Sequence, residues 1–199
     1  MKISKKFLTL FLIILVIYYI VAYVFLTNIP SQEFYELAIQ GKNNEIFPNN
    51  NSTITIGEKV QWEFIIVSTF RTPRIVEIVM KLGNNNTMLP NDVNGTPSNG
   101  TEIFSWLVYL TYGVKKDYSI EWAVSSVENR SDYYYLILNI NNTIIKRVDV
   151  GAYKGEKFRI IIELWTLEEN GDFRFGWVYQ NQLYMIWYQY PFNVTLAKK

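Results

Sequence analysis

The sequence predicts an all-β protein, an antiparallel sandwich of about ten strands, standing behind one apolar N-terminal helix. Three observations predict it. Residues 7–26 form an unbroken apolar run without a charge, Gly or Pro. From Glu33 onward, apolar residues recur with a period of two rather than 3.6. Asn- and Gly-rich turn signals then fall between the alternating runs.

The N-terminal run, Phe7 to Leu26 (FLTLFLIILVIYYIVAYVFL), is twenty residues long. At 1.5 Å per residue a helix of that length covers about 30 Å, the thickness of a bilayer's hydrocarbon core. Lys2, Lys5 and Lys6 precede it, and no Lys or Arg follows until Lys42. The positive-inside rule then keeps the N-terminus in the cytoplasm and sends the remainder outside. A cleaved signal peptide would show a shorter apolar stretch and small residues before the cut, which Leu26–Ser31 (LTNIPS) lacks. Lys5-Lys6-Phe7 likewise lacks the small residue expected at a pilin-type cut. The expected organisation is residues 1–27 as cytoplasmic lysines and signal anchor, and residues 28–199 as an extracellular domain. Membrane lipid is thus a partner through residues 7–26, and the location is a single-pass cell-membrane protein.

Strand by strand, the exported part alternates. In Asp117–Val124, the residues Tyr118, Ile120, Trp122 and Val124 share one face. Arg74–Leu82 turns Val76, Ile78, Met80 and Leu82 inward and Glu77 and Lys81 outward. Phe158, Ile160, Ile162 and Leu164 form a third stripe, opposite Arg159 and Glu163, and Phe173, Phe175, Trp177 and Tyr179 a fourth. Half-buried strands of this kind suit a sandwich with one wet and one dry face per sheet. Asn141-Asn142 is expected to turn Tyr134–Ile140 into Thr143–Val150, and Asn170-Gly171 to turn Phe158–Leu167 into Asp172–Tyr179. Asn181-Gln182 leads into a last strand, Leu183–Val194. Gly83–Gly100 (GNNNTMLPNDVNGTPSNG) reads as a long surface loop, and no helix is expected after Leu26.

Composition narrows the function. Apolar residues are 49% and aromatics 17%, enough for a sizeable core, and charged residues are only 19%. With no cysteine, disulfides, thiolate metal sites and cysteine nucleophiles are excluded. With no histidine, the usual general base and the commonest metal ligand are missing. Without the three N-terminal lysines, 16 basic face 18 acidic residues, a balance of −2. There is no basic stripe, so no nucleic-acid partner is expected.

Eight Asn-x-Ser/Thr sequons, at Asn50, Asn51, Asn85, Asn94, Asn99, Asn129, Asn141 and Asn193, mark the exported part as a candidate for N-linked glycans. The bland explanation is that Asn, Ser and Thr all favour turns. It suits Gly83–Gly100 better than it suits Asn129, Asn141 and Asn193.

No catalytic residue, cofactor or metal ligand is expected. Glu163, Glu168, Glu169 and Asp172 cluster around the Asn170 turn, where facing carboxylates could act as a glycosidase pair or hold calcium. A charged turn that blocks edge pairing explains them more simply. Gly151–Gly155 (GAYKG) reads as a turn rather than a phosphate loop. Tyr133-Tyr134-Tyr135 and Tyr184–Tyr190 (YMIWYQY) place aromatics on both faces of their strands, which something must cover: a second packing layer, a sugar or a partner.

Phe34–Pro48 (FYELAIQGKNNEIFP), Thr55-Ile-Gly-Glu58, Gly155-Glu156-Lys157 before Phe158, and the closing strand Ile186–Val194 together resemble the exported domain of an archaeal membrane family, domain of unknown function 1616. The resemblance covers about two thirds of the exported part and implies an immunoglobulin-like sandwich in an archaeal envelope, without catalytic residues. Members of that family often carry several membrane helices where this chain has one, and Gly83–Tyr112 looks like an insertion. The expected function is a non-enzymatic envelope protein that binds other membrane or envelope proteins, as an accessory subunit of a membrane or surface-layer complex. Two alternatives stand beside it. One is a filament subunit whose Asn28–Gln40 completes a neighbour's sandwich after removal of the helix. The other is a carbohydrate-active or calcium-binding surface protein.

Overall fold

A computed structural model describes residues 5–27, 33–145 and 148–196. The chain divides into two compact units, Met1–Gln32 and Glu33–Lys199. In the first, a helix (α1) spans Lys5–Thr27, as a run of apolar residues without Gly or Pro allows. Side chains are described over 11–23. Among the described residues no helix is long and apolar enough to cross a membrane. The expected span over residues 7–26 runs past that stretch at both ends. Asn28–Gln32 of the donor-strand reading, where removal of the helix would leave the new N-terminus, lie outside the described residues.

The second unit is an all-β sandwich. Its first sheet runs β1 (Tyr35–Gly41), β3 (Lys59–Ser68), β6 (Lys116–Arg130), β7 (Tyr133–Ile140), β8 (Thr143–Ile145), with β9 (Gly151–Tyr153) also on β7. The second runs β2 (Thr53–Thr55), β14 (Trp187–Thr195), β10 (Phe158–Leu167), β4 (Arg74–Gly83), β5 (Thr101–Leu110), with β11 (Phe173–Phe175) on the end of β10. β12 (Trp177–Tyr179) and β13 (Gln182–Tyr184) form a separate hairpin. The order β1-β3-β6 facing β14-β10-β4-β5, with consecutive strands crossing between sheets, is the immunoglobulin-like Greek key. The pairs are antiparallel except β2 with β14, where the chain leaves the first sheet after β1 to close the second beside its last strand.

Alternation produces the core as expected. Val60, Trp62, Phe64 and Ile66 of β3 and Ile120, Trp122 and Val124 of β6 are buried against Val76, Ile78, Met80 and Leu82 of β4 and Phe158, Ile160, Ile162 and Leu164 of β10. At one end, Trp62 meets Trp122 at 5.3 Å and Tyr190 at 5.0 Å, and Phe192 packs on Phe158. The opposite end, where Glu33 begins the unit, gathers Tyr35, Phe70, Arg74 and Trp177.

Several boundaries differ from expectation. The described residues form fourteen strands rather than about ten, because two expected runs break and the short strands β2 and β9 stand apart. Phe173–Tyr179 is interrupted by Gly176 at φ 79°, so Phe175 packs on Trp165 while Trp177 packs on Tyr35 and Tyr184. Leu183–Val194 divides into β13 and β14. Thr143–Val150 is a strand only to Ile145. Asn141-Asn142 makes the expected two-residue turn with both φ values positive, at 48° and 65°. The Asn170-Gly171 turn is wider, because pairing stops at Leu167↔Phe173. The supposed insertion Gly83–Tyr112 contains β5, an integral strand of the second sheet.

Candidate functional site

The outer face of the first sheet carries polar residues at the alternate positions, and they meet across strands. Gln40 on β1 lies opposite Glu63 on β3, and its Nε2 donates to Glu63 Oε2 at 2.6 Å. Gln61 lies opposite Glu121 on β6 and donates to Glu121 Oε2 at 2.9 Å, while Lys59 Nζ pairs with Glu121 Oε1 at 2.7 Å. These bonds, from Lys59 first and Gln61 second, hold the Glu121 carboxyl below the ordinary carboxylate range. Asn141 locks the neighbouring turn: its Oδ1 accepts the Glu121 N–H at 2.9 Å. Gln40, Gln61, Glu63, Glu121 and Asn141 line a groove of about 640 Å³ together with Lys42, Asn43 and Asn44. Its amides and carboxylates can hydrogen-bond a hydroxyl-rich or peptide-like ligand.

On the second sheet the outer face is closed over its middle, and open toward β5. Val79, Ile161 and Glu163 are buried there, at 3%, 0% and 0% exposure. The connection 84–100 lies over them as a strap. Lys81 Nζ and Glu163 Oε2 form an ion pair at 2.8 Å beneath it. Both partners grip the same strap residue. The Ser98 N–H donates to Glu163 Oε1 at 2.7 Å, and Lys81 Nζ donates to the Ser98 carbonyl at 3.1 Å. Trp165 Nε1 gives Glu163 a third bond at 3.1 Å, and Lys81 stands 5.4 Å from the Trp165 ring. Further along, the Trp187 indole donates to Asp92 Oδ1 at 2.9 Å, and Asn84 Nδ2 donates to the Gly151 carbonyl. Gly83–Gly100 is thus the expected long surface loop, fastened over the sheet as a cover.

The candidate carboxylate cluster comes apart. Glu163 is fully buried with Lys81, whereas Glu168 pairs with Arg174 at 2.9 Å and Asp172 accepts from Asn170. Glu163 belongs to a different neighbourhood because it faces out from mid-strand under the strap. Among the described residues no three metal-binding side chains converge. Of the sequons, Asn50, Asn51, Asn85, Asn94, Asn99, Asn129 and Asn141 are exposed and Asn193 is half-buried, its Oδ1 accepting from the Lys157 N–H at 2.8 Å. In the Asn94 sequon, Thr96 Oγ1 donates to Asn94 Oδ1 at 2.6 Å.

The aromatic runs mostly pack inward. Tyr188 donates its hydroxyl to the Leu37 carbonyl across the two sheets at 2.5 Å, Tyr190 rests on Trp62, and Tyr184 stacks on Trp177. Burial pushes the Tyr190 hydroxyl up to about 12. Tyr133 stays exposed beside Tyr153. The resembling motifs also have structural work. Gly57 sits at φ 85° in the turn where Glu58 accepts the Thr55 N–H, and a Cβ on Gly155 would lie 2.7 Å from the Val194 carbonyl oxygen.

Sequence reasoning missed the ion pair and the groove. A signal for the first existed: Ile161 between Ile160 and Ile162, and Val79 between Ile78 and Met80, break the alternation that a wet outer face requires.

Fold and faces define an immunoglobulin-like β-sandwich with one polar groove and one strapped face. No family model matches the chain, that of domain of unknown function 1616 included, and no curated protein matches it. Among solved structures it is similar to the CARDB domain of a Pyrococcus furiosus protein in complex with di-metal ions, at 11% identity and TM-score 0.40, over 83% of this chain and 96% of that one. It is also similar to a β-glucosidase from Listeria innocua in complex with glucose, at 10% identity and TM-score 0.35. That match covers 82% of this chain but only 16% of the glucosidase.

Proposed function

We propose that this chain is a single-pass, N-glycosylated cell-envelope protein whose sandwich binds other membrane or envelope proteins, as an accessory subunit of a membrane or surface-layer complex. The observation that carries this reading is where the sequons fall. Asn50, Asn51, Asn85 and Asn193 lie at the end of the sandwich opposite Glu33, and Asn141 lies on the β7–β8 turn at the level of Gln61. Asn129 lies on the β6–β7 hairpin beyond that end, and Asn94 and Asn99 lie on the strap. The connections 69–73, 111–115 and 168–172, which gather at the Glu33 end, carry none. Three connections free of sequons at the end where Glu33 begins the unit fit a domain tethered at a bilayer.

The apolar run over residues 7–26 and the lysines before it support the anchor. The absence of His and Cys from the sequence supports a binding rather than a catalytic role. Against the filament alternative, β1 already pairs with β3 of its own chain from Tyr35↔Ser68 to Gly41↔Trp62. The test is affinity purification of the tagged full chain from native membranes in mild detergent, read by mass spectrometry. Stoichiometric integral-membrane partners are the expected result. Recovery without any other envelope protein would overturn the accessory-subunit reading.

A further inference from the structure

We propose that β5 is a dimerisation edge, at which a second copy of this chain adds its own β5 antiparallel and joins two second sheets into one. An edge strand presents a row of unused backbone donors and acceptors, and folded proteins normally blunt such rows. The other open edges are shorter, interrupted or charged: β14 is open on one side only over Trp187–Phe192, which holds Pro191, and β6 only beyond Ala123, where Glu128 and Arg130 stand. β2, β8, β9 and β11 are three residues each, and β1 has Glu36 exposed and its Leu37 carbonyl occupied by the Tyr188 hydroxyl. β5 is different. It is ten residues long, it pairs only with β4, and no other described backbone group bonds to it.

Its sequence, TEIFSWLVYL, holds a single charge, Glu102, at the end next to the strap. Leu107 and Tyr109 are 60% and 57% exposed on the outer face, beside Ile75, which lies directly opposite Tyr109 on β4. In a two-fold pairing every contact is made twice, so the strand must be complementary to itself. Centred on Leu107, the pairing sets Leu107 against its copy, Ser105 against Tyr109 and Phe104 against Leu110. No charge meets a charge in that register. The strap sequon Asn99 stays outside the paired stretch, so a glycan there leaves it free. Seven paired residues supply about six to eight backbone hydrogen bonds, within the roughly ten plus or minus five of a stable interface. The occupant is therefore a second copy, and its position does not depend on the envelope reading above.

The chain has no cysteine, so one introduced thiol reports unambiguously. Leu107→Cys in the full-length protein, oxidised in native membranes, is expected to give a disulfide-linked homodimer. Ile144→Cys, equally exposed on β8, is expected to give none. Leu107→Lys with Tyr109→Lys keeps the buried face intact and is expected to convert the detergent-solubilised dimer to monomer by light scattering, with tryptophan fluorescence unchanged. A wild-type protein that is monomeric in detergent and uncrosslinked through Leu107→Cys overturns the proposal. Equal crosslinking through Ile144→Cys, or crosslinking of Leu107→Cys to a different protein, does so too.

Discussion

The two outer faces of this sandwich start from the same alternating pattern and end in opposite states. On the first sheet, Gln40, Gln61, Glu63 and Glu121 stay at the surface and satisfy one another side by side. On the second, Lys81 and Glu163 stand at equivalent alternate positions but are sealed beneath residues 84–100. The difference teaches that a polar residue at an outward strand position is defined by what the connections do above it. On the open face a lost bond is replaced by water. Under the strap nothing replaces it, and removing one partner leaves a charge buried alone.

The largest expected effect follows from that. Glu163→Ala strands the Lys81 ammonium and removes the acceptor of the Ser98 N–H, and should cost about 3–5 kcal/mol in denaturant unfolding. Hydrogen exchange across 84–100 should accelerate in the same variant. Gly100→Ala probes the closeness of the strap without touching charge. Its Cβ would meet the Leu82 carbonyl oxygen and Lys81 Cβ at 3.2 Å, and a loss of about 1–3 kcal/mol is expected from overpacking. Replacing both charges, Lys81→Met with Glu163→Leu, should recover most of what Glu163→Ala loses, since an apolar pair of similar volume avoids the desolvation cost. Exchange at Ser98 should nonetheless stay as fast as in Glu163→Ala, because the side-chain carboxylate that accepted its N–H is gone. The open face should respond least: Glu121→Gln should leave the unfolding midpoint at pH 7 nearly unmoved in moderate salt.

Titration sharpens the same contrast. The Glu121 carboxyl is held below its ordinary range, so its contribution is present above the unfolded carboxylate pKa and fades as pH falls through the folded value. Salt should weaken that contribution. The inward tyrosines act at the other extreme. Burial pushes Tyr35 and Tyr190 up to about 12, so their stabilisation is complete below about pH 10 and is lost as pH rises toward 12. Urea midpoints measured across the two pH ranges should show a salt-sensitive acid limb and a salt-insensitive alkaline one.

Much of the fold was legible in the residues themselves. Tyr118, Ile120, Trp122 and Val124 announce a half-buried strand because the pleat sends alternate side chains to one face, and Asn141-Asn142 announces a tight turn because Asn tolerates positive φ. Gly176 was not legible as a break, because the aromatic alternation runs straight through it and only its φ of 79° reverses the face. Glu163 was misplaced for a related reason. Its sequence neighbours Glu168 and Asp172 suggest one acidic cluster, whereas a strand carries it away from them and the strap, some seventy residues earlier in the chain, supplies its real partners. The groove was invisible because it is assembled from three strands and two turns that only the cross-strand register brings together.

The central proposal is that the chain is a membrane-anchored domain that carries N-linked sugars. The most direct test is site-resolved mass spectrometry of the protein taken from native membranes. The account predicts a peptide from ahead of Phe7 still attached to the mature chain, and glycans at several of Asn50, Asn51, Asn85, Asn94, Asn99, Asn129, Asn141 and Asn193. A mature N-terminus between Thr27 and Gln32, or every one of those asparagines unmodified, would contradict it.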